Sequence, residues 1–316
     1  MAWRQLGLAF AGMLAMAGPT RAQAPTPPAL VPAATPLGSG PFKAIMLEEP
    51  GLPGHTVYRP ANLTLIADQK LPIVIWGNGA CVNAGNRFRW FLSEIASYGF
   101  LAVAVGPIGP PAMEAPPRPA GVTETPPVPP TGPPETRTPQ LIEGLNWAIA
   151  ENERQASPYY HRLDVAKVAV MGQSCGGVQA IEASADPRVT TSMIWNSGLF
   201  PQPTTMAGGK SMTKEDLKKL HAPTAYISGD AQDVAFPNGN DDFDKINHIP
   251  VFRGYERGVG HSGTYRESNG GEFGGVAVAW LNWKLKGDAT AGLMFAGKTC
   301  GLCVNPRWVV RKKGMD

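Results

Sequence analysis

Charge is scarce in this 316-residue chain. Only 17% of its residues are Asp, Glu, Lys or Arg, against roughly 25% in an average soluble domain. The formal net charge of +3 is too small for a protein that grips nucleic acid by releasing counterions, so no nucleic-acid partner is expected. Cysteine is equally scarce: there are four, and none precedes Cys81, which argues against a lipid-anchored N-terminus. Glycine shows no period of three, which excludes collagen. Ala, Glu, Lys and Leu are too few for a long coiled coil. No run reaches the ~18 apolar residues of a membrane-spanning helix, so no stable membrane anchor is expected. What the chain has in excess is glycine (37 residues) and proline (32), with a hydrophobic fraction of 43% that can fill a sizeable core.

The first 22 residues have the layout of a secretory signal peptide. A short basic start with Arg4 leads into the apolar run at 6–18 and then into small and turn-forming residues. Cleavage is expected after Ala22, with Ala24 as the alternative, because Pro25 would obstruct a peptidase cutting at the later site. Removing residues 1–22 takes away two of the 28 basic residues and none of the 25 acidic ones, so the net charge falls from +3 to +1. The product is expected to be secreted, either periplasmic or extracellular. Residues 23–41, with six prolines among small residues, are expected to be an extended linker.

The expected catalytic domain spans 42–298. Within it, residues 107–139 hold 13 prolines in 33 positions. Proline lacks a backbone donor and blocks helix and central strand alike, so this stretch is expected to be a long loop. On either side, short apolar runs alternate with helical patterns. Strands are expected at 71–76, 100–105, 165–171, 189–195, 222–227 and 250–255. Helices are expected at 88–98, from Thr138 onward with Thr138 as cap, at 176–185 and at 276–285. Strands that are apolar throughout, interleaved with helices, indicate an α/β fold: a mostly parallel central sheet with helices on both faces. Residues 299–316 are expected to be a C-terminal tail.

The sequence GQSCG at 172–176 fits the pattern G-x-S-x-G and lies between an expected strand and an expected helix. In that context the motif is a strained turn that exposes a serine nucleophile at the carboxyl end of the sheet. A hydroxyl is a weak nucleophile, so Ser174 needs a base, and the base needs an orienting acid. The expected chain order is Ser, acid, His. Of the five histidines, three follow the serine. His221 and His248 precede strands and so belong at the wrong end of the sheet. His261 lies in the glycine-rich loop GVGHSG after the last strand and is the expected base. The acid should follow the strand at 222–227, where Asp233 is expected, with Asp230 as turn former or fallback. Two backbone amides should stabilise the oxyanion: that of Cys175, next to the nucleophile, and that of Ala80 in the loop WGNGAC at 76–81, with Gly79 or Asn78 as near alternatives. No metal or organic cofactor is required.

The pair Cys300 and Cys303 is expected to form a small disulfide loop, with free thiols as the alternative; a zinc site would need two more ligands. A four-residue loop gains little from closure, so its loss is expected to lower stability modestly and leave the chemistry intact. The pairing of Cys81 and Cys175 stays open.

These motifs, together with the segment ASYGF at 96–100 and TPQL at 138–141, resemble the α/β-hydrolase family over roughly residues 42–286. The resemblance is to the branch that holds dienelactone-hydrolase-like, chlorophyllase-like and polyester-hydrolase enzymes. It implies an α/β-hydrolase fold with Ser174, Asp233 and His261 as the triad. It also matches Trp195 to an aromatic wall of the substrate cleft, for which core packing is the alternative. Gln173 stands where these relatives usually carry His or Trp. The C-terminal stretch WLNWKLKG at 280–287, with FAG at 295–297 and CGLC at 300–303, is similar to a smaller secreted group that includes poly(3-hydroxybutyrate) depolymerases and poly(aspartic acid) hydrolases.

The expected function is therefore that of a secreted serine hydrolase cleaving acyl bonds, amide or ester, in an extracellular polymer or large substrate. Arg87 and Arg89 follow the oxyanion loop, and Arg253 and Arg257 lie on or after the strand leading to His261. If they ring the site, they suit an anionic chain, which favours a poly(aspartic acid) hydrolase. A polyester depolymerase or carboxylesterase is the alternative. A protein that only binds a ligand in the same cleft is the remote one. The oligomeric state stays open.

Overall fold

The computed structural model describes residues 1–2, 37–66, 69–110, 133–205 and 211–315. The expected signal peptide at 1–22, most of the linker at 23–41 and the centre of the proline-rich stretch at 107–139 lie outside the described residues.

The sheet follows from its sequence pattern. Strand β3 (Leu71–Gly77) is buried along its whole length, as are β4 (Leu101–Val105) and β6 (Thr191–Trp195). Along β3, Ile73 and Ile75 face one apolar cluster, while Val74 and Trp76 face the other. The same alternation continues in β4 and β5 (Leu163–Gln173). A strand with both faces in a core has no polar side, which is why these segments read as continuous apolar runs.

The order of the nine-stranded sheet is β1-β2-β4-β3-β5-β6-β7-β8-β9, where β1 is Ala44–Leu47, β2 His55–Pro60, β7 Thr224–Gly229, β8 Val251–Glu256 and β9 Trp308–Lys313. The six strands from β4 to β8 in that order run parallel. β1, β2 and β9 add antiparallel pairings at the two edges. The fold is thus α/β with a mixed, mostly parallel sheet.

Helices α1 (Arg89–Ser97) and α5 (Gly271–Lys286) cover one face through Phe91, Leu92, Phe273 and Trp280. Helices α2 (Thr138–Glu153) and α3 (Cys175–Ala183) cover the other, with Phe243 of α4 (Phe236–Lys245). Two short helical turns, α6 (Ala289–Gly292) and α7 (Gly301–Val304), precede β9. From β3 the chain moves to one neighbour, β4, and then returns to the other side as β5. The loops leaving β3 and β5 therefore diverge, which opens a crevice at the carboxyl ends of the parallel strands.

Three expectations change. The last residues of the supposed linker are fixed, because Ser39 Oγ and its amide donate to the Glu94 carboxylate and the Gly40 amide donates to Ser97 Oγ. Helix α2 is capped at Arg137, whose amide donates to Gln140 Oε1 at 2.7 Å. Thr138 is its first residue and donates instead to Glu182 Oε2. The stretch 299–316 is no tail: Trp308 to Lys313 pair residue by residue with β8. Its basic sequence WVVRKK suits an edge strand, where charge discourages further pairing, and that charge made it look like solvated tail.

Both expected and open cysteines are bonded: Cys300 to Cys303 and Cys81 to Cys175, with Cα atoms 4.9 and 5.3 Å apart. Two disulfides point to a non-cytoplasmic, oxidising compartment. Among the described residues, no helix is long and apolar enough to cross a membrane, and no group of three metal-binding side chains occurs.

At the end of β8, the fully buried Glu256 carboxylate is pushed up to about 7 by burial, which its ion pair with Arg307 only partly offsets. A carboxyl that holds its proton more tightly when folded gives stability that is complete below about 4.5 and is lost as pH rises through about 7. Glu256→Gln should therefore flatten part of the fall in Tm between pH 5 and 7.5, measured by calorimetry. An unchanged slope would show that burial does not raise this group.

Candidate functional site

The site grows from the carboxyl ends of β3, β5, β7 and β8. Ser174 follows β5 directly and sits at φ 54°, ψ −118°, a region that non-glycine residues occupy only when the surroundings force it. The surroundings here are specific. The Ser174 amide donates to Trp195 O at 3.0 Å. Its carbonyl accepts from Ser197 Oγ at 2.7 Å and from the Gly177 amide at 2.9 Å. Glycine is needed around it because backbone meets backbone. A Cβ on Gly176 would stand 2.1 Å from Gly77 O, and one on Gly172 2.1 Å from Gly176 O.

His261 reaches this serine from the loop after β8. Its Nε2 lies 2.9 Å from Ser174 Oγ, and its Nδ1 donates to Asp233 Oδ1 at 2.6 Å. Of the other four histidines, His55, His221 and His248 each bond a backbone carbonyl elsewhere, and His161 lies against the ring of Tyr160. Asp233 is the acid that meets the histidine, whereas Asp230 ties two loops together. Asp230 Oδ2 accepts from the Gly258 amide, and its own amide donates to Val259 O. Asp233 is buried, and burial alone would raise its pKa. The bonds from His261, from the Ala235 amide (2.9 Å) and from Asn196 Nδ2 (2.8 Å) outweigh it and hold the carboxyl below its ordinary value.

Two of these supports were not legible in the sequence. Asn196, at φ 41° just after β6, has its whole amide engaged. Nδ2 bonds Asp233 and Gly260 O, and Oδ1 accepts from the buried Tyr265 hydroxyl. A buried chain thus runs from Tyr265 through Asn196, Asp233 and His261 to Ser174. Neither residue type announces itself; the one cue is that Asn tolerates the left-handed backbone that the turn after a strand often needs. Gln173 also gains a place. Its Nε2 donates to His261 O at 3.0 Å, and a Cβ on Gly79 would stand 1.8 Å from its Oε1, so it touches both the histidine loop and the β3 loop.

The β3 loop is held by Asn78. Its Nδ2 donates to the carbonyls of Val82, Ala84 and Val105, and its Oδ1 accepts from Trp76 Nε1. Ala80 follows at φ 56° and Cys81 at φ 50°. The disulfide then joins Cys81 to Cys175, so the two expected oxyanion residues, Ala80 and Cys175, are carried on backbones bridged to each other.

No model of a known protein family matches the chain, and none of the curated proteins compared with it matches either.

The expected substrate contacts fare differently. Trp195 is 0% exposed and packs edge-on against Phe91 and alongside Phe273 in the core under α1 and α5. It offers no surface to a substrate and is corrected to core. Arg253 is 1% exposed and is likewise corrected. It donates to Asn240 Oδ1, Gly254 O and Ser228 Oγ between the rings of Phe236 and Tyr255. Burial pulls its pKa down to about 10. It is α4 that hides Arg253, a helix that the apolar pattern of the sequence does not announce. Arg87 and Arg89 are half-buried beside the β3 loop, and Arg257 is exposed after β8.

Asn196→Ala removes one of the donors that keep Asp233 ionised. The Asp233 carboxyl should then titrate at higher pH than in the parent, followed by its ¹³C chemical shift. An unmoved titration would show that this bond does not hold the charge.

Proposed function

We propose that the chain is a serine hydrolase with the α/β-hydrolase fold, exported from the cytoplasm, that cleaves ester or amide bonds. The observation that carries this reading is the relay of Ser174 Oγ, His261 and Asp233 at 2.9 and 2.6 Å, standing on a strained elbow at the sheet's carboxyl end. The order of the three in the chain is the one this fold uses.

In this mechanism His261 Nε2 takes the Ser174 proton as Oγ attacks the acyl carbon. Ionised Asp233 holds the ring in the right tautomer and stabilises the imidazolium. The amides of Ala80 and Cys175 take the charge that develops on the carbonyl oxygen. The imidazolium then gives its proton to the leaving alcohol or amine. Water, deprotonated by His261, attacks the acyl-serine and releases the acid and the free hydroxyl. No step calls on a cofactor. Export is supported by the signal-like residues 1–22 and by the two disulfides.

For the substrate we favour an anionic polymer of the poly(aspartic acid) kind, with Arg87 and Arg89 after the β3 loop and Arg257 after β8 as the cations that would grip it. A neutral polyester or simple ester is the second reading. One observation favours it: Arg253, one of the four expected cationic contacts, is removed from the surface.

Ser174→Ala should keep less than about a tenth of the parent rate with the fold intact, and the parent alone should be labelled by a fluorophosphonate. A variant with more activity than that would remove Ser174 from the mechanism. The substrate is decided by kcat/KM on poly(aspartic acid), polyhydroxybutyrate and a p-nitrophenyl ester from low to high salt. Exposed charge pairs are screened over about 8–10 Å at physiological ionic strength, so cleavage of the anionic polymer should fall with salt and with Arg87→Ala, Arg89→Ala or Arg257→Ala. Cleavage of the neutral substrates alone would select the second reading.

A further inference from the structure

The Cys81–Cys175 bond lies where a general staple is least needed. The strands on either side of it already pair, Gly77 opposite Gly172, and Gly176 packs on the Gly77 backbone with no room for a side chain. Beyond the end of β3, Asn78 fixes the flanks of residues 79–81 and its carbonyl accepts from the Cys81 amide at 3.1 Å, while the seating of this turn against α3 falls to further contacts. Ala80 and Cys81 both hold left-handed φ values, 56° and 50°. Consecutive non-glycine residues there cost roughly 1–2 kcal/mol each, and the loop has to be held in that shape by something. The Cys81 carbonyl is held by the Thr136 amide and hydroxyl, at 3.0 and 3.1 Å, and Gln179 of α3 holds Thr136 in turn. Its side chain is held by Cys175. The bond spans 94 residues of sequence, is almost wholly buried (0% and 5% exposed) and joins the residue after Ala80 to the first residue of α3.

We propose that this disulfide is a positioning element of the oxyanion hole. It sets the separation of the Ala80 and Cys175 amides, and the reduced protein loses catalytic rate while Ser174, His261 and Asp233 stay in place. The inference rests on the hydrolase reading above. Ser174 is the chain neighbour of Cys175, but its amide and carbonyl are held by Trp195 and Ser197, while Asp233 is held by Asn196 and the Ala235 amide and the His261 loop by Gln173. Opening the bridge therefore frees the donors without freeing the base. The reaction is the ordinary exchange: dithiothreitol supplies two electrons and two protons, the S–S bond becomes two thiols, and the reagent leaves as its cyclic disulfide.

The experiment uses the full chain with Cys300→Ser and Cys303→Ser, so that Cys81–Cys175 is its one disulfide. Hydrolysis of a p-nitrophenyl ester, inhibition by an alkyl boronic acid and circular dichroism are followed before and after dithiothreitol, with thiols counted. Misplacing a catalytic donor by about 1 Å, or losing it, costs on the order of 100-fold in rate. The expected result is a fall of that order in kcat and in boronate affinity, with KM nearly unchanged and the folded spectrum retained. Cys81→Ser with Cys175→Ser should reproduce it. Activity kept within twofold after reduction would overturn the proposal. So would a loss that only keeps step with unfolding, because the bond would then be a plain structural staple. If the oxidised parent neither hydrolyses an ester nor labels at Ser174, the hydrolase reading itself falls, and this inference with it.

Discussion

Everything at this site depends on two backbones meeting without side chains between them. The first turn of α3 presses on the end of β3 so closely that a Cβ on Gly176 would lie 2.1 Å from Gly77 O. Gly172 makes the same demand from β5. This contact brings the start of a helix to the carboxyl edge of the sheet and leaves Ser174 no relaxed conformation. The strain, of order 1–3 kcal/mol, is borne by the hydrogen bonds at the serine's amide and carbonyl, which come from β6, the segment after it and the first turn of α3. Ser174 is thus positioned by its neighbours' backbone, with little left to side-chain choice.

The electrostatics follow a similar logic of enclosure. Asp233 is buried, and an isolated buried carboxylate would take up a proton. It stays charged because donors surround it: a ring nitrogen, a backbone amide and the Asn196 amide, itself fixed by Tyr265. Buried polar groups of this kind stabilise only when every member is satisfied. Arg253 and Trp195 lie on opposite faces of the sheet, under α4 and under α1 with α5, and both are sealed from solvent.

The loops around the serine are likewise tied to each other. Gln173 touches the β3 loop and holds the His261 carbonyl, Asp230 joins the β7 and β8 loops, and Cys81–Cys175 joins the β3 loop to α3. A crevice between diverging loops would otherwise be free to widen. Cross-links between the loops keep groups from four strands at hydrogen-bonding distance, and that constancy is what acid–base chemistry needs.

The sequence by itself determined the central strands, the helices between them except α4, and the chain order Ser174, Asp233, His261. Those signals are local: apolar runs of strand length, glycines around a serine, a histidine in a glycine-rich loop. It did not determine the edge strands, because β1, β2 and β9 are short or carry charge and look like loop. It offered Arg253 as a substrate contact, and the family resemblance offered Trp195 with core packing as the alternative, because the elements that cover both are distant in sequence. α4 hides the first, and the layer of α1 and α5 hides the second. Only the tertiary structure decided which cysteines meet across 94 residues and that Asn196 and Tyr265 stand behind the acid. Burial and long-range pairing are properties of the packed chain, and no spacing along the sequence encodes them one residue at a time.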